Sequence, residues 1–216
     1  MTNRPLLVLS CLFGILLLGA CTEPDKPSIS LYMALQRGDI AQIERHIYWG
    51  TDLNQPTPDG DMPLHEAARA GRLVVVKLLL DNNADINARD ARNHTPLYEA
   101  LMSGRTQIAR LLVKRGAEFD PDRMLEQVVR NQVTDRDVIE FLTQHGADIN
   151  HVTENGDTPL HLAVKLGNRV LSKHLIANGA DVNAGDAAGH SPLWYASRRR
   201  NEDIVKLLKR SGAVLK

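Results

Sequence analysis

The apolar positions fall into two unlike regions. Leu6 to Leu18 is an almost unbroken apolar run of 13 residues, preceded by Arg4 and followed, after Gly19-Ala20-Cys21, by the polar stretch Thr22-Glu23-Pro24-Asp25-Lys26-Pro27. The run is too short to cross a hydrocarbon core of about 30 Å, which needs about 20 helical residues. It has the length of a signal-peptide core. From Ser30 onward the pattern is different. Short apolar blocks at helical spacing alternate with glycine stops and polar turns.

The block at 158–189 illustrates the unit. Thr158 is an N-cap residue and Pro159 sits at the first helical position, where no donor is missed. Leu160 and Ala163 face inward, and Gly167 ends the helix in a left-handed conformation. A second helix carries Val170, Leu171, Leu175 and Ile176 and ends at Gly179. Asp181 to Gly189 then forms an extended hairpin leading to the next unit.

This unit recurs in phase. Asp61-Met62-Pro63-Leu64-His65 returns as His94-Thr95-Pro96-Leu97-Tyr98, Asp157-Thr158-Pro159-Leu160-His161 and His190-Ser191-Pro192-Leu193-Trp194. The prolines lie at 63, 96, 159 and 192, so the intervals are 33, 63 and 33. A second motif keeps step: Asn83-Ala84-Asp85-Ile86-Asn87, Gly116-Ala117-Glu118-Phe119-Asp120, Gly146-Ala147-Asp148-Ile149-Asn150 and Gly179-Ala180-Asp181-Val182-Asn183. Gly50-Thr51-Asp52-Leu53-Asn54 precedes them.

A 33-residue period with Thr-Pro-Leu-His and Gly-Ala-Asp-Val-Asn resembles the ankyrin repeat, over essentially all of Ser30 to Lys216. The resemblance implies an all-α solenoid of about six stacked helix-turn-helix units joined by β-hairpin loops, at about 30–58, 59–91, 92–121, 122–153, 154–187 and 188–216. One unit cannot bury its own apolar face, so stacking supplies the stability. The first unit lacks the Thr-Pro start and the last carries Lys206, Lys209, Arg210 and Lys216, so both read as caps. The unit at 122–153 is degenerate. Asp120-Pro121 starts its first helix, the preceding hairpin is shortened, and a bent or interrupted groove is expected at 117–135.

Leu18-Gly19-Ala20-Cys21 resembles the bacterial lipobox. Small residues fit the peptidase cleft, and the Cys21 thiol is the nucleophile that takes a diacylglyceryl thioether. Residues 1–20 are then a cleaved signal peptide, and 21–29 a lipidated cysteine with a short tether. The alternative is ordinary secretory cleavage after Ala20, with Cys21 incidental. Each buried CH₂ contributes about 0.8 kcal/mol, so two or three acyl chains give a nearly irreversible anchor. Thr22, in place of an Asp inner-membrane retention signal, implies the outer membrane, with the body facing the periplasm.

Composition adds restrictions. Basic and acidic residues number 26 each and aromatics are 4%, so the core must be built from Leu, Ile, Val and Ala. Removing residues 1–20 takes away Arg4 and leaves a net charge of −1. That neutrality gives no reason to expect a nucleic-acid partner. The two cysteines are Cys11 and Cys21, which excludes a disulfide framework or thiol chemistry in the body. There is no Gly-x-Ser-x-Gly, no His-Glu-x-x-His and no phosphate loop. His65 and His161 read as structural histidines bonding the hairpin backbone, because Tyr98 and Trp194 hold the same position. The sequence therefore predicts neither an enzyme, nor a metal site, nor a cofactor.

What remains is binding. By resemblance, partners meet the ends of the first helices and the hairpin tips. The helix-end row is Gln36, Arg37, Arg69, Ala70, Met102, Ser103, Lys165, Leu166, Arg198 and Arg199, basic in five places and acidic in none. Cations also favour helix C-termini, which gives an equally simple reason for the bias. The tips are Asp59, Asp61, Arg89, Arg92, His94, Glu154, Asp157, Ala187 and His190, mixed in sign. A basic floor suits an acidic protein surface, and changing Arg69, Lys165 and Arg198 to Glu is expected to weaken capture without unfolding. The expected role is a monomeric, membrane-anchored protein-binding module. Specific forms are an immunity protein masking a toxic secreted effector such as a lipase, a binder of cell-wall or anionic ligands, and an accessory to a periplasmic enzyme.

Overall fold

The computed structural model describes residues 23–57 and 60–214. Cys21, Thr22, Asp59 and Lys216 lie outside the described residues. Twelve helices follow one another in six pairs among the described residues: α1 (Leu31–Arg37) with α2 (Ile40–Tyr48), α3 (Pro63–Ala70) with α4 (Leu73–Asp81), α5 (Pro96–Met102) with α6 (Thr106–Lys114), α7 (Pro121–Arg130) with α8 (Arg136–Gln144), α9 (Pro159–Lys165) with α10 (Arg169–Ala177), and α11 (Pro192–Arg198) with α12 (Glu202–Arg210). First helices pack on first helices along the stack, and second helices form a parallel layer. Between the layers lies one continuous core of small and branched residues, including Ala67, Ala100, Ala163 and Ala196.

The predicted caps form. Thr158 accepts the His161 amide, Thr95 accepts that of Tyr98, and Asp120 those of Asp122 and Arg123. Val170, grouped with the apolar stripe of α10, instead faces outward, while Leu171 and Leu175 are fully buried. A nine-residue helix offers the core only one narrow stripe, and Val170 falls beside it.

The loops hold no strand among the described residues, which corrects the β-hairpin expectation. Each full turn is instead closed by two backbone bonds: the amides of Thr57, Asp90, Thr153 and Asp186 donate to the carbonyls of Asp61, His94, Asp157 and His190, and the amides of Gly60, Asn93, Gly156 and Gly189 donate to the carbonyls of Thr57, Asp90, Thr153 and Asp186. Side chains replace the missing ladder. Within a unit the Asp85, Asp148 and Asp181 carboxylates accept the amide two residues on. Between units the Asn54, Asn87, Asn150 and Asn183 carbonyls accept amides of Asp85, Glu118, Asp181 and Val214 at 2.7–3.0 Å. The Asp-x-Asn of the repeat is thus a two-bond stitch.

The degenerate unit breaks the stitch and rebuilds it. The link between α4 and α5 is residues 82–95, fourteen in all, whereas that between α6 and α7 is residues 115–120, only six. Three of the eight lost residues lengthen α7 to ten, against seven in α5, and two lengthen the α7–α8 link. Asp120 occupies the stitching position but caps α7, so Asp122 accepts the Asp148 amide in its stead, at 2.7 Å.

At one tip glycine is obligatory for two reasons. Gly156 has φ +78°, and a Cβ there would lie 2.5 Å from Ala187 Cβ and 2.6 Å from its amide nitrogen. Gly189 has the same φ but open space around it. Gly156→Ala is therefore expected to cost about 3 kcal/mol, against about 1 kcal/mol for Gly189→Ala. Equal losses in urea titrations of the two variants would count against tip-to-tip packing.

Candidate partner-binding face

The predicted structural histidines sit between consecutive turns. His65 Nε2 lies 2.8 Å from the His94 carbonyl and His161 Nε2 lies 3.0 Å from the His190 carbonyl, so Nε2 carries the proton in both. In His161 the other ring nitrogen accepts the Thr158 amide, which fixes that tautomer. Burial pushes both rings below the ordinary value of 6.5, although the carbonyl bond and nearby carboxylates oppose it. With the folded value depressed, the unfolded chain takes up protons first as pH falls. Stability is thus full above about 6.5 and declines below it, by at most about 1.4 kcal/mol per pH unit for each ring. A His65→Gln/His161→Gln variant is expected to be less stable at pH 7 and to show a flatter profile between pH 7 and 5.5. An unchanged slope in that window would assign the proton uptake to other groups.

The charged positions of the helix-end row separate into two classes. Arg37, Arg198 and Arg199 are exposed, as is Leu166, and Met102 is half-buried. Arg69 and Lys165 are instead engaged within the fold. Arg69 reaches Asp61 at 2.5 Å, Glu99 at 2.7 Å and Glu66 at 3.4 Å. Lys165 reaches Asp157 at 2.5 Å and lies 4.0 Å from the Tyr195 ring centre. Asp61 and Asp157, expected at the tips, are buried because these cations draw them inward. Arg89, Glu154 and Ala187 are exposed, and His190 is half-buried.

Arg92 closes the first of these networks. Its guanidinium lies 3.0–3.1 Å from Asp61, Asp90 and Glu99, and His94 Nδ1 lies 3.2 Å from Glu99. Burial opposes ionisation of Asp90, but the His94 amide and the two Arg92 bonds outweigh it and hold the carboxyl below the usual range. Asp186 is held low in the same way, with burial outweighed by the Tyr195 hydroxyl and the His190 amide. Asp90, His94 and Glu99 place one ligand atom each within 4.8 Å of one another. Arg92 and Arg69 already occupy these carboxylates, so the cluster serves as an internal ion network.

Two ring stacks stand in the same register. His94 stacks on Tyr98 at 3.9 Å, and His190 stacks on Trp194 at 3.8 Å. Arg198 lies over the Trp194 ring at 4.8 Å. Both stacks are half-buried, so part of each ring pair is open to solvent. Beside the first opens a cleft of about 420 Å³, in the place of the shortened hairpin. Arg89, His94, Tyr98, Phe119, Arg123 and Met124 contribute to its walls. That volume accepts one or two side chains of a protein loop.

The family follows from the comparisons. The model for ankyrin repeats (3 copies) matches residues 31–123 and 125–216. The chain belongs to the ankyrin-repeat family. No curated protein matches it by sequence. Three solved structures are similar. The human ASB11 ankyrin repeat domain is 28% identical, with TM-score 0.70, over 87% of this chain and 86% of that one. The ankyrin repeat domain of Bcl-3, described as a unique member of the IkappaB family, is 27% identical, with TM-score 0.69, over 89% and 90%. A chain in the structure of the Bd0816 predatory endopeptidase from Bdellovibrio bacteriovorus in complex with immunity protein Bd3460 is 26% identical, with TM-score 0.65, over 86% of this chain and 99% of that one. Ankyrin repeats are protein-interaction modules.

Proposed function

We propose that this chain is an immunity-type lipoprotein. It is a non-catalytic module, exported, lipidated on Cys21 and held at the outer membrane facing the periplasm. There it captures and masks a secreted hydrolytic effector. The observation that carries the reading is the likeness to the immunity protein complex, which spans 99% of the matched chain at 26% identity. A lipase is one example of such an effector, and that likeness adds endopeptidases to the class.

The binding face supports the reading. Aromatic and arginine side chains dominate interface energetics, and here the Trp194 stack with Arg198 supplies both. The internal networks leave the exposed Arg198, Arg199 and Arg37 as cations for an acidic partner surface. Deleting the gene is expected to make the producing bacterium sensitive to its own effector, with growth restored when that effector's catalytic residue is inactivated. Sensitivity that persists after this inactivation counts against the proposal.

A further inference from the structure

Residues 23–29, the described part of the tether read at 21–29, are held against the first unit. The Ser28 amide donates to Gln42 Oε1 at 2.9 Å, and His46 Nε2 donates to the Ile29 carbonyl at 2.8 Å. Trp49 Nε1 donates to the Pro24 carbonyl at 3.2 Å, and the Lys26 ammonium lies 5.3 Å from the Trp49 ring centre. Asp25 is 3.9 Å from Arg45. The chain leading back to Cys21 therefore starts from the α2 end of the solenoid.

That end carries an exposed aromatic pair. Tyr48 is 55% exposed and Trp49 40%, and their rings meet edge to face at 5.8 Å. Among the described residues every other exposed large hydrophobic side chain is aliphatic. Three peptide links separate Pro24 from Cys21, so the two Cα atoms are at most about 11 Å apart. Trp and Tyr favour the headgroup level of a bilayer, where a ring is half apolar and half wet. The nearby charges, Lys26 and Arg45 against Glu23, Asp25 and Glu44, nearly cancel. The surface thus suits the aromatic mode of interfacial contact better than the polybasic one.

We infer that Tyr48 and Trp49 dock on the phospholipid surface that holds the Cys21 anchor and orient the solenoid with its first unit toward the membrane. The inference rests on the lipid-anchor reading. It places the last unit, with Trp194 and Arg198, at the membrane-distal end, where a partner can reach it.

The chain has two tryptophans, so Trp194→Phe leaves Trp49 as the sole reporter. The lipidated full-length protein is reconstituted into vesicles of phosphatidylethanolamine and phosphatidylglycerol containing a lipid brominated near its headgroup. Trp49 emission is expected to be quenched about two-fold or more. In the reciprocal Trp49→Phe protein, Trp194 emission is expected to stay unquenched. Mass spectrometry of the N-terminal peptide establishes the thioether-linked acyl group in the same sample. Unquenched Trp49 in an acylated protein overturns the docking and leaves the anchor standing. A mature N-terminal peptide without the acyl group overturns both.

Discussion

Charge reversal at Arg69 is expected to destabilise the second and third units strongly. Arg69 joins Asp61, Glu66 and Glu99, and a glutamate there would set a further carboxylate among Asp61, Asp90 and Glu99 with only Arg92 to balance them. Removing one member of a buried ion network costs about 3–5 kcal/mol. The Arg69 side chain is about a third exposed, which moves the expected loss toward about 3 kcal/mol. Arg37→Glu, at an exposed site, is expected to change stability by less than about 0.5 kcal/mol. Urea titration followed by circular dichroism measures both. If Arg69→Glu is as stable as Arg37→Glu, the ion network contributes nothing to the fold. The outcome also bears on binding experiments, because a loss of capture in Arg69→Glu would report unfolding and leave the groove untested. Arg198 and Arg199 are the positions where reversal probes binding.

Truncating Trp194 to alanine is expected to weaken capture of the effector about 100-fold while leaving the protein folded. Its ring is half-buried between His190 and Arg198, which pre-organises it at little entropic cost. Central aromatic anchors contribute about 2–4 kcal/mol when truncated. Val74→Ala, on the exposed side of α4, is the matched control and should leave affinity unchanged. Calorimetric titration distinguishes the two. Affinity of the Trp194 variant within about two-fold of the parent would remove the ring stack from the interface.

The repeat was legible because its helix caps and stops are local. Thr158, Pro159 and Gly167 determine a boundary from adjacent residues alone, and the period multiplies the signal. The 63-residue interval disclosed a shortened unit. Its redistribution was legible in part: the spacing puts a net loss before Leu125 and a gain of two residues after it, but a residue lost from the turn and one gained by α7 read alike there. Asp120 shows the difficulty: it occupies the stitching position and also caps a helix, and only the fold reveals that Asp122 takes over the stitch.

The ion networks were hidden for a related reason. Asp61 and Arg92 lie on successive turns, and Arg69 meets Glu99 across two units, so tip residues read as exposed turned inward. One signal could have found them. Asp61, Arg69, Asp90 and His94 match Asp157, Lys165, Asp186 and His190 at a constant offset of 96 residues. The chain thus repeats as a pair of units as well as singly, and the family matches divide it near the same point. An acid, a histidine and a cation at four-residue spacing in both copies mark the inward-facing row.

The most direct measurement begins with the mature body, residues 22–216, immobilised and used to capture its partner from the envelope of the producing bacterium. The captured enzyme is then titrated with the free protein while its hydrolysis of cell-wall, peptide or lipid substrates is followed. The account predicts that activity falls linearly and reaches a minimum at one equivalent. A partner that hydrolyses none of these substrates, or an enzyme that keeps full activity at saturation, would contradict it.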